Sequence, residues 1–230
     1  MTEAEVRKSI CDIGKRVWEK DMGAANDGNI SVKMEDGIII CTPTGVSKGF
    51  MTPEMLVKID YDGNVIEQGV NGLKPSSEIK MHLALYKFRD DVKSVVHAHP
   101  IHATAFAVCH IALNKQIMPE STIGLGEVPL APYATPSTEE LPKVLLPYFE
   151  DHDTVLMANH GAVSVGVDLT NAYFRMEALE YYAKLLYLAG NIGEVKELSK
   201  EEVQTLIYLR ETKYCIPGKH PGKKILDRLK

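Results

Sequence analysis

His97 and His99, separated only by Ala98, close the apolar run Ser94-Val95-Val96. On a strand, side chains two positions apart point to the same face, so this pair can grip one metal ion. Sixty-one residues after His99, His160 precedes Gly161 at the end of a second apolar run, Val155 to Asn159. Three imidazoles placed where strands run out into loops make a metal enzyme the leading expectation, because open sites form at strand ends. The spacing also arises without any ligand role, and taken alone it leaves the metal reading open. His82, His102, His110, His152 and His220 are read as hydrogen-bonded structural residues, since a buried imidazole needs partners whatever else it does.

Three further segments offer small residues, hydroxyls and backbone amides: Gly28-Asn29-Ile30-Ser31, Thr42-Pro43-Thr44-Gly45 and Pro75-Ser76-Ser77-Glu78. Such groups hold a phosphate in an acidic protein without a basic patch. The same residue types also build ordinary turns and caps, which is the alternative reading of each segment by itself.

The elements that must carry these residues follow from periodicity. Thr2 and Glu5 have capping-box spacing ahead of a helix with Val6, Ile10, Ile13 and Val17 on one face, ended by Gly23. Asn29 to Lys33, Ile38 to Cys41, Leu56 to Asp60 and Val65 to Glu67 are short strands, two of the intervals holding the turn dipeptides Asp36-Gly37 and Asp62-Gly63. A helix opening at Ser76 and Ser77, a strand to His97 and a helix from Ile101 to Val108 follow. Then come a helix from Ser137 to Phe149, strands from Thr154 to Ala158 and Ala162 to Val165, and a long helix from Thr170 to Leu188 stopped at Gly190-Asn191. A short helix capped by Ser199 and Glu202 comes last. Helices flanking strands throughout predict an α/β chain whose central, mostly antiparallel sheet is covered on both faces.

At 230 residues and 45% hydrophobic content the chain can bury a core as a single domain, 1–230. A net charge of −5 argues against nucleic acid, which demands clustered cations. Lys219, Lys223, Lys224, Arg228 and Lys230 form a basic cluster, and the segment from about 216 to 230 reads as a solvated tail. Cys11, Cys41, Cys109 and Cys215 lack close pairing and read as free thiols. With no signal-peptide core and no apolar span of membrane length, a cytoplasmic protein without membrane partners is expected.

Together, the three segments above, His97-Ala98-His99, Ala131-Pro132-Tyr133-Ala134-Thr135 and Asn159-His160-Gly161 stand in the order of a known family. The chain resembles, over nearly its whole length, the class II sugar-phosphate aldolase and epimerase family, to which the adducin head also belongs. The resemblance implies zinc, or another divalent ion such as Mn2+ or Co2+, on His97, His99 and His160. Glu78 would be both a movable fourth ligand and the proton-transfer group. Asn29, Thr44, Gly45, Ser76 and Ser77 would cradle the substrate phosphate.

The resemblance further implies cleavage of a ketose 1-phosphate, such as L-fuculose 1-phosphate or a related deoxypentulose 1-phosphate, to dihydroxyacetone phosphate and an aldehyde. The assembly implied is a homotetramer with active sites at subunit boundaries, and the apolar stretch from Ile117 to Leu130 is a candidate contact surface. The family's epimerases tend to carry Asp where this chain has Glu78, whereas its aldolases and its methylthioribulose-1-phosphate dehydratases carry Glu. An adducin-like binding module need not keep metal ligands, which this chain retains. The chain departs from the family pattern between Ile117 and Ala131, where Glu120, Ser121 and Thr122 stand and an expected tyrosine has no equivalent. Tyr214 aligns with a second family tyrosine, across a one-residue gap.

Overall fold

The computed structural model describes residues 1–229. Helix α1 (Glu3–Glu19) starts on the anticipated capping box, with Thr2 accepting from the Glu5 amide and the Glu5 carboxylate accepting from the Thr2 amide. Eight strands form one sheet: β1 (Asn29–Lys33), β2 (Ile39–Cys41), β3 (Val57–Ile59), β4 (Val65–Glu67), β5 (Ser94–Ala98), β6 (Leu130–Ala131), β7 (Thr154–Met157) and β8 (Gly161–Gly166). Their order is β4-β3-β2-β1-β5-β8-β7-β6, antiparallel throughout except for the β6–β7 pair.

Alternation along the strands divides the core in two. Ile30, Val32, Val96, Ala98, Leu156 and Ala162 face a layer containing α1, α3 (Ile101–Val108) and α6 (Leu169–Ile192). Val95, Val155, Met157, Val163 and Val165 face α2 (Ile79–Phe88) and α5 (Glu140–Leu145) on the other side. Being in step with Val95, His97 belongs to the α2 face. So do Asn29 and Ser31, whose cross-strand partners are His97 and Val95. This register sets a row of polar side chains under the first turns of α2.

Several boundaries differ from expectation for local reasons. Helix α2 begins at Ile79, because the Ser76 hydroxyl accepts from the Glu78 amide and holds residues 76–78 in a turn outside the helix. Helix α5 begins only at Glu140, after a turn in which Ser137 has φ +66°, and Leu146–Glu150 continues as a tighter 3-10 segment containing Pro147. Helix α6 runs through Gly190-Asn191 to Ile192. One interior glycine costs about 1 kcal/mol relative to Ala, too little to end a long packed helix.

The C-terminal segment is not a solvated arm. After α7 (Lys200–Leu209), helix α8 (Gly222–Arg228) buries Ile225 against Val203 and Ile207, with Leu226 and Leu229 alongside. Lys224 pairs with Asp151, and Arg228 pairs with Glu127 at 3.0 Å. The apolar positions 225, 226 and 229 make a helical stripe that the surrounding lysines obscure in the sequence; Lys230 lies outside the described residues. A short helix, α4 (Pro119–Gly124), fills the region of Glu120 to Thr122. Among the described residues, no helix is long and apolar enough to cross a membrane.

Candidate metal centre and anion cleft

His97 is the next-to-last residue of β5, its side chain buried and its Nδ1 2.9 Å from the Ala162 carbonyl on the neighbouring strand. A carbonyl only accepts, so Nδ1 carries a proton; Nε2, protonated when the ring pairs with Glu78, would present its lone pair to an ion once that proton is lost. That Nε2 lies 3.2 Å from His99 Nε2 and 3.3 Å from Glu78 Oε2. His99 follows the strand, anchored by its amide on the Met22 carbonyl, with Nδ1 3.4 Å from Asp27 Oδ2. His160 occupies the tight β7–β8 turn, where Asn159 takes φ +55°, a conformation asparagine tolerates well. Its Nε2 lies 3.4 Å from Glu78 Oε1.

The three imidazoles sit edge to face, 4.8 to 5.2 Å apart by ring centroid, and their candidate ligand nitrogens fall within 4.8 Å of one another. Two glycines permit this closeness. A Cβ at Gly161 would come 2.5 Å from His99 Cδ2, and one at Gly28, where φ is +78°, would come 2.7 Å from the His97 carbonyl oxygen.

The electrostatics suit a cation. Burial, seconded by the neighbouring His97 charge, pulls both His99 and His160 down to about 4, so both stay neutral and able to ligate through the physiological range. Burial would raise the Glu78 carboxyl, but the charge and hydrogen bond of His97, with the Asn29 amide, hold it well below the usual carboxylate range. Burial likewise lowers His97, but Glu78 outweighs it and raises the imidazole. Glu78 Oε1 and His160 Nδ1 are buried without a hydrogen-bond partner. Converging lone pairs beside an ionised carboxylate are a donor set that fits a divalent metal ion.

Beside this cluster opens a cleft of about 250 Å³. Its walls bring together Asn29, Thr44, Gly45, Ser76, Ser77, Glu78, His99 and His160. Chain pairing explains the convergence of the loops: the Thr44 amide bonds the Lys74 carbonyl, and the Ser76 amide bonds the Thr42 carbonyl. Helix α2 points its N-terminus at the cleft, which favours an anion. Tyr214 is not there. It lines a separate apolar hollow with Leu125, Phe174 and Ile216, half its surface exposed. Glu120 and Ser121 also lie elsewhere, beside Phe174 and Tyr181.

Sequence reasoning missed Asp27, Ser137 and Lys48. Asp27 lines the cleft and faces His99, and the turn dipeptide Asp27-Gly28 was its available signal. Ser137 donates to the Ser77 hydroxyl at 2.9 Å. Lys48 is buried, donating to the Asn26 and Val46 carbonyls at 2.8 and 2.9 Å, and so ties two cleft loops together. Burial lowers its ammonium to about 8, and nothing in its sequence neighbourhood marks it.

Residues 8–187 match the family model described as Class II Aldolase and Adducin N-terminal domain. The chain belongs to that family. It is one of the family's enzymes, and class II aldolases are metal-dependent. The chain is 33% identical over 208 residues to the 3-oxo-tetronate 4-phosphate decarboxylase of Escherichia coli strain K12, covering 85% of this chain and 96% of that one. It is also 33% identical over 180 residues to an L-fuculose phosphate aldolase of Methanococcus maripaludis, covering 78% and 95%. A solved L-fuculose 1-phosphate aldolase superposes with a TM-score of 0.81 at 32% identity, covering 92% and 98%.

Proposed function

We propose that this class II aldolase-family enzyme is a zinc-dependent lyase. It cleaves a ketose 1-phosphate, L-fuculose 1-phosphate or a related deoxypentulose 1-phosphate, to dihydroxyacetone phosphate and an aldehyde. One observation carries the reading: the Glu78 carboxylate stands between three convergent imidazoles and a cleft lined by hydroxyls at the N-terminus of a helix. His97, His99 and His160 hold the ion, for which Mn2+ or Co2+ can substitute. When bound, it supplies Lewis-acid stabilisation of the negative charge that bond cleavage leaves on the substrate oxygens.

The chain's own residues do the rest. Asn29, Thr44, Gly45, Ser76 and Ser77 bind the phosphate, so that the reacting carbons lie towards Glu78. Glu78 exchanges a proton with the carbon beside the carbonyl, the work of a general acid and base. Tyr214 serves the aldehyde side from the tail of a neighbouring copy, which makes a homotetramer with shared sites part of the reading. We place the enzyme, working as one domain over residues 1–230, in the cytoplasm, a setting that suits its four free thiols.

A second reading is favoured by the decarboxylase relative, matched over 96% of its length. Loss of carbon dioxide from a 3-oxo-tetronate 4-phosphate also leaves the enediolate of dihydroxyacetone phosphate, and it requires no base for a hydroxyl that becomes an aldehyde. Two carboxylates and two imidazoles are the titratable groups lining the cleft among the described residues, an arrangement compatible with that simpler demand.

The test presents zinc-loaded protein with a panel of ketose 1-phosphates and with 3-oxo-tetronate 4-phosphate. Released dihydroxyacetone phosphate is coupled to a reductase, and carbon dioxide is measured separately. Triose phosphate with an aldehyde supports the aldolase, and triose phosphate with carbon dioxide supports the decarboxylase. No triose phosphate from any substrate overturns both and leaves the dehydratase, epimerase and adducin-like alternatives.

A further inference from the structure

Behind the cleft a chain of buried hydrogen bonds ends on Glu78. Its oxygen Oε2 accepts from Asn29 Nδ2 at 2.8 Å. Asn29 Oδ1 lies 2.5 Å from His82 Nε2, His82 Nδ1 lies 2.7 Å from Ser31 Oγ, and Ser31 Oγ lies 2.7 Å from the Tyr86 hydroxyl. His82 and Tyr86 come from α2, one turn apart, while Asn29 and Ser31 come from β1, two apart on the same face. All four are almost wholly buried, Asn29 at 4% exposure being the least so.

The direction of every bond follows from its end. An ionised carboxylate only accepts, so Asn29 must turn its NH2 group to Glu78 and its carbonyl to His82. That carbonyl requires an N–H, so His82 is the Nε2–H tautomer. Its Nδ1 then accepts from the Ser31 hydroxyl, and Ser31 in turn accepts from Tyr86. The network is fully satisfied with this one polarity.

We propose that His82 is a positioning residue: it locks the orientation of the Asn29 amide, which in turn holds the Glu78 carboxylate against the three imidazoles. This rests on the metalloenzyme reading for its consequence in catalysis, though not for its geometry. A residue in the middle of a helix, facing the core, thereby governs a side chain at the helix N-terminus through a partner on another element. Groups that orient a metal site in this way typically matter by tenfold to a hundredfold in metal affinity or activity.

The variants are His82→Leu, which removes the donor, and His82→Gln, whose amide can donate to Asn29 Oδ1 and accept from Ser31. In competition with a chelator, His82→Leu should bind zinc about tenfold to a hundredfold more weakly than wild type, with His82→Gln within about threefold. With an active substrate, His82→Leu should lose kcat by a similar factor while KM changes by less than about threefold, and His82→Gln should recover most of it. Wild-type zinc affinity and kcat in His82→Leu would overturn the proposal. So would equal losses in both variants, which indicate packing alone.

Imidazole 15N spectra of the unmutated protein provide an arm that needs neither metal nor substrate, nor a variant that folds. His82 should show a protonated Nε2 and an unprotonated Nδ1 at neutral pH; the opposite tautomer overturns the relay. A wild-type protein that takes up no zinc while His82 keeps the Nε2–H form would sink the metalloenzyme reading and leave the relay standing.

Discussion

At the scale of single residues, the proposed function assigns holding an ion to the imidazoles and moving a proton to Glu78, and substitutions separate the two. Purified protein should carry close to one zinc per chain. His97→Ala or His99→Ala should remove metal and activity together, as read by metal analysis and turnover. His102→Ala should keep both, since that ring bonds Glu180 and the cleft does not include it. Full activity in rigorously metal-free protein would refute the assignment. Glu78→Gln preserves size and hydrogen bonding, so zinc should stay on the imidazoles while turnover falls by roughly a hundredfold to ten-thousandfold. The same variant should fail to exchange the carbon-bound proton of dihydroxyacetone phosphate with solvent deuterium; exchange at the wild-type rate would move the proton-transfer role elsewhere. The histidines were legible because strand spacing and a turn place them without help from distant residues. Lys48 and the His82 relay were not, since each matters through a partner far away in sequence.

At the scale of elements, α8 and the tail before it are where expectation and structure part most clearly. Ile225 is wholly buried, and Ile225→Ala should lower stability by about 2–5 kcal/mol, the range for large-to-small changes in a core, as measured by denaturant unfolding. His220 adds a pH dependence. Its Nε2 sits 2.8 Å from the Thr122 carbonyl, and burial, with the Arg210 charge acting in the same direction, pulls the imidazole down to about 4. A group kept neutral by the fold contributes stability that is complete above its unfolded value of about 6.5 and is lost as pH falls from there towards 4. The full loss is on the order of 3 kcal/mol. Melting temperature should therefore drop across that window, and His220→Gln should flatten the drop; an unchanged profile in the variant would show that other groups cause it. The basic residues around α8 conceal its apolar stripe, since composition averages over a face that only packing reveals.

At the scale of the whole molecule, the expected contact surface has to move. Leu125 and Val128 are buried inside the chain, and Ile117 and Leu130 pack on the core, so the stretch between them is not a free apolar face. Exposed apolar side chains occur instead along α6 and the segment after α7, at Phe174, Tyr181, Tyr187, Ile192 and Tyr214. Light scattering should give a homotetramer, and an active monomer at dilute concentration would contradict it. The sequence by itself determined most of the sheet and its covering helices, because short apolar runs between turns and helical apolar stripes are local patterns, and central strands apolar on both faces demand cover on both. It also marked the segments that line the cleft, whose order along the chain carries a family pattern. Only the tertiary structure decided which side chains meet. The β1–β5 register puts Asn29 opposite His97, the turn before α2 swings Glu78 onto the imidazoles, and the buried underside of that helix supplies His82. Contacts between residues about fifty positions apart depend on the register and tilt of whole elements, quantities that no short stretch of sequence encodes.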